Sequence, residues 1–367
     1  MRVMIVAAGT GGHITPGISI ANKLKKEEKD CEIVFVGTKN GMENDIVSKE
    51  GYNIVHIRAQ GIKREFTLEN IKRAIDLILG IGDAKKVIKK FKPDIVVGTG
   101  GYVTFPIFKV ATKMGIKTVL HESNSIPGKV VNMMASKVDT IMVGFEEAKG
   151  KIKNGKNIVY TGTPTKMSTY VPPSNLKQKL GLKEDLPVLL ITGGSQGAKK
   201  LNEKVIEIIT NGKEKKYQTV FVTGPKQYDD VIKQIEEKGY SLENLDNVHI
   251  LNYVYNMEEY MSIADVIISR AGALSLTEIC IMGIPSIIIP YPYSAENHQV
   301  YNAKVIENAG AGKVILEQEL NGDILNSTLE DMIYSKEKLE KMSKEAKKLA
   351  VLNVEDKIYN EIKKLVR

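Results

Sequence analysis

A repeated strand-and-glycine pattern constrains the fold of this 367-residue chain more than any other feature. Three short apolar runs flanked by glycine in the first half have counterparts in the second half, in the same order. The matching segments are 3–9 with 188–194, 93–101 with 264–272 and 115–121 with 283–289, at offsets of 185, 171 and 168. Glycine lets a backbone turn sharply and approach a ligand closely. The pattern predicts two similar α/β halves, each opening with a loop suited to phosphate.

Strands and helices are predicted to alternate through both halves. The strands of the first half are 2–8, 33–37, 54–57, 94–97, 117–121, 140–144 and 158–161, and its helices are 15–28, 42–50, 68–91, 103–114 and 127–136. The second half has strands near 187–192, 218–223, 248–250, 266–269, 285–289 and 313–315, and from about residue 318 it is helical. Such alternation is typical of parallel sheets with helices on both faces. We therefore expect an α/β fold of two Rossmann-like, doubly wound parallel-sheet domains.

The domain limits follow from the repeat and from turn residues. We expect a first domain at 1–163 and a second at 164–344, with residues 162–164 as the linker and a last helix, about 345–367, packed on the first domain. Pro16 suits the first turn of its helix, where a missing N–H costs nothing. Ligands of doubly wound sheets bind beyond the carboxyl ends of the strands, so the cleft between the domains is the expected site.

Charge is distributed unevenly along the chain. Residues 1–163 carry 26 Lys and Arg against 16 Asp and Glu, a net charge of +10, whereas residues 164–367 carry a net charge of −2. A basic half suits an anionic membrane surface, a phosphorylated ligand or nucleic acid, and the last is disfavoured because no nucleic-acid motif is present. Cys31 and Cys280 are interpreted as buried thiols of a reducing compartment. With no signal-peptide core and no apolar stretch of roughly 20 residues, we expect a cytoplasmic protein.

The first glycine loop, residues 9–13, ends a strand and opens a helix. A helix N-terminus attracts anions. A dinucleotide fingerprint would need glycine or alanine in place of Ile14 and an acid after the second strand, where Gly37 and Thr38 stand instead. A P-loop is excluded as well, since no Gly-Lys-Ser/Thr follows. The loop suits a phosphate-bearing ligand other than NAD.

The second half offers three polar segments at the ends of predicted strands. The loop 193–198 presents backbone amides and the Ser195 hydroxyl, and the segment 269–278 places Glu278 in a helix, where its carboxylate can accept two sugar hydroxyls. Asn297, His298, Gln299 and Asn302 follow the strand 285–289. No Asp-x-Asp pair is present to hold a divalent metal, so we expect helix dipoles and backbone donors to stabilise a leaving diphosphate, without cofactor or essential metal.

These motifs together resemble a known family. The segments concerned are 9–13 with Pro16, 98–103, 121–124 with Pro127, Gly128 and Asn132, 193–198 with Leu201 and Asn202, 269–278, and 297–299 with Asn302 and Ala303. In them the chain is similar to the bacterial peptidoglycan glycosyltransferases that add N-acetylglucosamine to undecaprenyl-diphospho-N-acetylmuramoyl-pentapeptide. The resemblance implies a fold of the GT-B type and UDP-N-acetylglucosamine as donor.

The resemblance also implies roles for single residues. The donor-binding set is Thr10, Gly11, Gly12, Asn124, Lys166, Ser195, Gln196, Val254, Ala273, Leu274, Ser275, Leu276, Glu278 and Gln299. In this set Val254 lies near uracil, Glu278 takes the ribose and Gln299 the sugar hydroxyls. The acceptor-binding set is Gly98, Thr99, Gly100, Gly101, Tyr102 and His121. The chain departs from the family at Lys166, where arginine is usual, and at Ser123, where glutamine is usual; lysine keeps the charge but loses the bidentate fork.

The expected reaction is a single inverting displacement, in which the muramoyl 4-hydroxyl attacks the anomeric carbon and UDP leaves. Holding both substrates and stabilising the leaving diphosphate supply most of the rate. His13 is the first candidate for the general base because imidazole titrates near neutrality. A purely positional role for His13 is an equal alternative, and Glu122 is a second candidate base.

The acceptor is a membrane lipid, so we expect a peripheral enzyme at the cytoplasmic face of the membrane. An apolar stripe beside basic residues can lie on an anionic leaflet. The predicted membrane patch is Lys63, Arg64, Ile71, Lys72, Arg73, Ile75, Ile78 and Leu79. The same periodicity also fits an ordinary core stripe. Other functions left open are a UDP-N-acetylglucosamine epimerase, a transferase to another lipid or a secondary metabolite, and a non-catalytic binder of sugar nucleotides or anionic lipids.

Overall fold

A computed structural model describes residues 1–60, 68–194 and 197–366, with the backbone alone for 68–75. The chain forms two compact units: Met1–Ser168 together with Val351–Arg367, and Thr169–Ala350. The chain passes between them at Ser168 and Thr169, whereas the sequence favoured 163 and 164. Residues 161–165 belong to the interior of unit 1, because Thr161, Thr163 and Thr165 are buried there.

Unit 1 is built on a seven-stranded sheet in the order β3-β2-β1-β4-β5-β6-β7. Its strands are β1 Arg2–Ala7, β2 Glu32–Gly37, β3 Asn53–His56, β4 Ile95–Gly100, β5 Lys117–Glu122, β6 Thr140–Val143 and β7 Ile158–Tyr160. Its helices are α1 Gly11–Glu27, α2 Glu43–Lys49, α3 Leu68–Phe91, α4 Thr104–Lys113 and α5 Lys129–Met134. Neighbouring strands pair in parallel, and apolar side chains pack on both faces of the sheet.

Unit 2 has a six-stranded parallel sheet in the order β10-β9-β8-β11-β12-β13. Its strands are β8 Val188–Thr192, β9 Gln218–Val222, β10 Val248–Leu251, β11 Val266–Ser269, β12 Ser286–Ile288 and β13 Gly312–Val314. Its helices are α6 Leu176–Lys179, α7 Lys199–Ile209, α8 Tyr228–Glu237, α9 Met257–Ser262, α10 Ala273–Met282, α11 His298–Asn308, α12 Gly322–Ile333 and α13 Lys336–Leu349. The last helix, α14 Val354–Val366, belongs to unit 1.

The prediction of two doubly wound parallel-sheet domains is confirmed. The two sheets have the same strand order over six strands, so β1 corresponds to β8, β4 to β11 and β5 to β12. The three matching segments of the sequence fall on these three pairs of strands. Parallel strands that are buried on both faces have continuous apolar sequences, and for this reason these six strands could be predicted from the sequence.

Two local predictions need correction. Helix α1 begins at Gly11 rather than at residue 15, so Pro16 lies inside it and removes a hydrogen-bond donor there. The last helix, predicted at about 345–367, has narrower bounds: α13 of unit 2 ends at Leu349, and α14 begins at Val354 in unit 1, the unit on which the last helix was expected to pack. Val354, Ile358 and Ile362 of α14 are buried in the core of unit 1.

Candidate functional site

The topology of each sheet creates a crevice at the carboxyl ends of two neighbouring strands. From β1 the chain winds towards β2, and from β4 it winds the opposite way, towards β5; β8 and β11 repeat this arrangement. The loops that follow such strands diverge, and ligands of doubly wound sheets bind between them. The crevice of unit 1 is bordered by residues 8–13 and 100–104, and that of unit 2, among the described residues, by 193–194, 197–198 and 270–278.

Each crevice is bordered by helix N-termini that carry no negative charge. Helices α1, α4, α7 and α10 follow β1, β4, β8 and β11, and none has an acidic residue in its first turn. Helices α2 and α8, which follow the next strands, have two acidic residues each in the first turn. Because the N-terminus of a helix has unpaired amides and a partial positive charge, both crevices suit anionic groups.

His13 lies in the first turn of α1, at the crevice of unit 1. Its Nδ1 is 3.3 Å from the Ala8 carbonyl oxygen and 3.4 Å from Thr10 Oγ1. A carbonyl oxygen only accepts, so the contact with Ala8 requires the proton on Nδ1 and leaves the lone pair on Nε2. Thr99 Oγ1 donates to the His13 carbonyl at 2.7 Å and fixes the backbone of the same residue.

Gly100 and Gly101 allow the loop after β4 to approach His13 closely. Both have positive φ, +115° and +84°. A Cβ on Gly100 would lie 2.6 Å from His13 Cδ2, and one on Gly101 would lie 2.4 Å from the Ala8 carbonyl oxygen. The register between β1 and β4 shifts at this point, which leaves Thr99 without a counterpart on β1. Such bulges occur next to active sites, where they redirect side chains.

Three members of the predicted acceptor-binding set are buried. Gly98 lies within β4, where a Cβ would lie 2.6 Å from the Phe108 ring, and Thr99 is 1% exposed. His121 is also 1% exposed, and its Nε2 donates to the Gly162 carbonyl at 2.9 Å. These three residues therefore support the loop from inside, and their predicted contact with the acceptor stays a prediction. Gly100, Gly101 and Tyr102 remain at the crevice, and all three are partly exposed.

Glu122 organises the loop after β5. Its two carboxylate oxygens accept from the Gly128 amide at 2.7 Å, the Asn124 amide at 2.9 Å and Asn124 Nδ2 at 3.0 Å. Burial raises the pKa of the Glu122 carboxyl, and these hydrogen bonds partly oppose that rise. The geometry favours an anchoring role for Glu122 over that of general base, while Asn124 remains partly exposed at the loop.

In unit 2 the first glycine loop is held against the end of β9. Gly197 has φ +76°, and a Cβ there would lie 2.6 Å from the Thr223 carbonyl oxygen. Asn202 Nδ2 donates to the same carbonyl at 3.0 Å and ties α7 to it. Ser195 and Gln196, predicted to bind the donor diphosphate, lie outside the described residues.

Helix α10 begins at the second border of this crevice. Gly272 is its N-cap residue, with no side-chain cap. Leu274 and Ser275 are partly exposed, whereas the Ala273 and Leu276 side chains are buried, so these two can offer a ligand only backbone atoms. Glu278 is partly exposed and lies on the second turn of α10.

Gln299, at the start of α11, lies between two loops of unit 2. Its Oε1 accepts from the Tyr291 amide at 2.9 Å and the Ala271 amide at 3.2 Å. Because Oε1 accepts these two hydrogen bonds, the orientation of the Gln299 side chain is fixed. Its NH₂ group provides donors for other contacts. Val254, the predicted uracil contact, is half-buried between Tyr253 and Tyr255 at the end of β10.

Lys166 forms an ion pair with Glu50 at 2.7 Å, and both residues belong to unit 1. The Lys166 side chain is 59% exposed. Its predicted donor contact is untested by this geometry and stays a prediction.

Comparison with known proteins gives the family. The N-terminal domain of glycosyltransferase family 28 matches residues 3–143, and its C-terminal domain matches residues 188–358. The chain belongs to glycosyltransferase family 28. It is 38% and 40% identical to the proteins of Acetivibrio thermocellus and Alkaliphilus oremlandii named UDP-N-acetylglucosamine–N-acetylmuramyl-(pentapeptide) pyrophosphoryl-undecaprenol N-acetylglucosamine transferase, over 100% of this chain and 99% of each relative. The family resemblance read from the motifs is thereby confirmed.

Solved structures agree with this assignment. The crystal structure of Acinetobacter baumannii MurG superposes with a TM-score of 0.79 at 26% identity, covering 99% of both chains. The UDP-N-acetylglucosamine 2-epimerase of Neisseria meningitidis superposes with a TM-score of 0.69 over 99% of this chain and 100% of its own, at 17% identity. At that identity, the likeness to the epimerase concerns the fold alone.

Sequence reasoning missed three charged residues at the crevices of this transferase family member. Glu43, fully buried, accepts from the Gly9 amide at 3.2 Å. In unit 2, Arg270 forms an ion pair with Glu317, and their side chains are only 11% and 13% exposed. Arg270 also donates to the Ile289 carbonyl at 3.1 Å. Gly37 and Gly41, which both come shortly before Glu43, were the available signal; nothing near Glu317 in the sequence marks it as a partner of Arg270.

The predicted membrane patch is described in part. Lys63 and Arg64 lie outside the described residues, as do the side chains of Ile71, Lys72, Arg73 and Ile75. Ile78 and Leu79 lie on α3 with side chains 69% and 40% exposed. Among the described residues, no helix combines the length and the apolar character that crossing a bilayer requires.

Proposed function

We propose that this protein transfers N-acetylglucosamine from UDP-N-acetylglucosamine to the 4-hydroxyl of undecaprenyl-diphospho-N-acetylmuramoyl-pentapeptide, with inversion at the anomeric carbon. The observation that carries the proposal is 38–40% identity, over the whole chain, with transferases named for this reaction. It is supported by helix N-termini at both crevices that have no acidic residue in the first turn. Each substrate of this reaction carries a diphosphate, and each unit offers one such crevice.

Unit 2 is assigned to the donor. The start of α10 suits the UDP diphosphate, which gains negative charge as it leaves, and the helix dipole opposes that charge build-up. Glu278, five residues further along α10, can accept from both ribose hydroxyls. The fixed side chain of Gln299 directs its NH₂ group, which supports a contact with sugar hydroxyls. We expect this mechanism to need no metal ion.

Unit 1 is assigned to the acceptor, with His13 as general base. The Nδ1–H bond to Ala8 leaves the lone pair on Nε2, the form that a base requires. Gly100 and Gly101 let the loop after β4 lie directly against this ring, and the start of α1 suits the acceptor diphosphate.

The lipid acceptor requires contact with a membrane surface, which we assign to α3. Ile78 and Leu79 expose apolar surface on a half of the chain that carries a net charge of +10. We place the protein at the cytoplasmic face of the membrane. The substitution Ile78→Glu should weaken binding to anionic vesicles, whereas Leu352→Glu, at a residue of similar exposure (71%), should not. Equal binding by both variants and the wild type, and by a charge reversal at Lys72 and Arg73, would remove the assignment to α3.

The decisive test is transfer of labelled N-acetylglucosamine from its UDP donor to a short-chain polyprenyl-diphospho-muramoyl-pentapeptide, with a chelator present. The expected result is labelled disaccharide product and an equal amount of UDP. UDP-sugar binding without product would favour an epimerase or another acceptor. No binding of UDP would refute the assignment of unit 2.

His13 is tested separately. The variant His13→Ala should lower kcat by about 10²–10⁴-fold, the usual contribution of general acid–base catalysis, and leave the Kd of UDP unchanged. Near-normal turnover would leave His13 with a positional role only.

A further inference from the structure

Glu43 is a buried carboxylate that connects two loops of unit 1. It is the first residue of α2 and has no solvent exposure. Oε1 accepts from the Thr38 amide at 2.8 Å and from Thr38 Oγ1 at 3.1 Å, and Oε2 accepts from the Gly9 amide at 3.2 Å. One side chain therefore joins the loop after β2 to the glycine loop after β1.

The surrounding backbone is shaped to receive this carboxylate. A Cβ on Gly41 would lie 2.0 Å from Glu43 Oε1, and a Cβ on Gly37 would lie 2.5 Å from Glu43 Cγ. Neither glycine has a positive φ, so backbone conformation alone does not require glycine at these two positions. The space they leave is occupied by the Glu43 side chain.

The peptide that Glu43 holds is the one that opens the crevice of unit 1. Gly9 has φ +98°, a backbone conformation that residues other than glycine rarely adopt. It is followed directly by Thr10, the N-cap residue of α1. Its neighbour Ala8 provides the carbonyl that contacts His13 Nδ1. Displacing the Gly9 amide would therefore shift both the contact that orients the His13 ring and the first amides of α1.

We propose that Glu43 is a positioning residue for glycosyl transfer, which fixes the first glycine loop and, through it, the His13 ring. This inference rests on the proposed function, because the loop and His13 are assigned there to the acceptor and to proton removal. Glu43 itself contacts no substrate in this proposal. Three hydrogen bonds converge on this one buried side chain from two loops, and such a contact fixes the loops relative to each other, which suits such a role.

Two substitutions disturb this arrangement by independent routes. Glu43→Gln keeps the size of the side chain but replaces one acceptor oxygen by an NH₂ group. Because Oε1 accepts two hydrogen bonds from Thr38 and Oε2 only one from Gly9, we expect the oxygen to stay at Thr38 and the NH₂ group to face the Gly9 amide, which it cannot accept from. Gly41→Ala does not change residue 43, but it inserts a methyl group where the Glu43 carboxylate lies and so displaces that carboxylate. The matched controls are Asp45→Asn, an exposed acid on α2, and Gly150→Ala, whose Cβ would meet nothing within 4 Å.

The measurement is steady-state transfer with both substrates varied, together with the Kd of UDP and the melting temperature of each protein. Rates are expressed per mole of protein in which the amides of β1 and β4 keep their protection from hydrogen exchange, so that chains with unit 1 unfolded do not count. We expect Glu43→Gln and Gly41→Ala to lower kcat by about 10- to 100-fold, as sub-ångström to ångström displacement of a catalytic group does. The Kd of UDP and the KM of the donor should stay unchanged, and both controls should match the wild type.

A purely structural role for Glu43 would give a different result. The melting temperature would fall while kcat per mole of protein with unit 1 folded stayed at the wild-type value, and this would overturn the inference. A loss of kcat in Glu43→Gln but not in Gly41→Ala would also overturn it, since both displace the carboxylate from the Gly9 amide. Failure of the wild type to make product would instead refute the proposed function.

Discussion

His121 provides a sharp test of whether a residue of the family motif acts on substrate or supports the fold. The side chain is fully buried in unit 1, and burial lowers its pKa from 6.5 to about 4, partly opposed by the hydrogen bond to Gly162. Ser123 Oγ lies 3.3 Å from Nδ1, so the neutral ring has a partner on each nitrogen. At neutral pH the folded protein holds His121 uncharged.

The consequence for stability has a definite sign and size. The unfolded chain takes up the proton near pH 6.5 and the folded chain only near pH 4, so unfolding is favoured as the pH falls through this interval. A difference of about 2.5 pKa units corresponds to about 3 kcal/mol when complete. Between pH 7 and pH 5, about 2 kcal/mol of the free energy of unfolding should be lost through His121.

Amide hydrogen exchange of β5 measures this loss locally, which avoids treating a two-unit chain as one cooperative system. The comparison is between the wild type and His121→Gln, whose amide can donate to the Gly162 carbonyl but does not titrate. Protection of β5 amides should fall about 30-fold more in the wild type than in the variant between pH 7 and pH 5, the equivalent of about 2 kcal/mol. Exposed carboxylates contribute equally to both proteins.

An unchanged difference in protection between the two proteins across this pH range would refute the reasoning. So would a large rise in the acceptor KM of His121→Gln at pH 7, because it would restore the acceptor contact first expected from the motif. The expected acceptor KM is that of the wild type.

Three further predictions concern the loops. Gly101→Ala should destabilise unit 1 by about 1–3 kcal/mol more than Gly115→Ala in chemical unfolding, because both have positive φ but only Gly101 lies against a backbone carbonyl. Glu317→Gln leaves the Arg270 guanidinium buried without its counter-charge and should cost about 3–5 kcal/mol of unfolding free energy, whereas a cost below 1 kcal/mol would contradict the buried ion pair. Gln299→Glu keeps the acceptor oxygen but loses the NH₂ donors, so it should raise the KM of UDP-N-acetylglucosamine about tenfold with no change in the melting temperature.

The positions of the strands and the duplicated architecture could be predicted from the sequence because their signal is local. Buried parallel strands such as β1 and β8 are unbroken apolar runs, and each is followed by glycine where the chain must turn sharply into a helix. The equivalence of β4 and β11 could be predicted for the same reason, because both are apolar runs that are followed by glycine.

The contacts that give loop residues their roles could not be predicted, because they join segments distant in the sequence. Thr99 and His121 belong to motifs that resemble the ligand loops of the family, yet each makes its hydrogen bond inward, to His13 and Gly162. The one-residue bulge at Thr99 changes the direction of the side chains at the end of β4, and no residue type in the motif predicts this bulge. Glu43 was missed for the same reason, since its partner Gly9 is 34 residues away.

The distribution of charge separates two interactions with anions: short-range binding of diphosphates at the crevices, and long-range attraction to an anionic surface. The loops 8–13, 98–104 and 193–198 contain no lysine or arginine, so their attraction for a diphosphate comes from helix N-termini and backbone amides. Such short-range donors fix the position of a ligand and are weakly screened by salt. The net charge of +10 on residues 1–163 therefore lies on other surfaces, where it acts over a Debye length, roughly 10 Å, and responds to ionic strength. The proposed contact with an anionic leaflet gains from this separation, because the field that would attract the protein to the surface does not compete with the contacts proposed to hold its substrates.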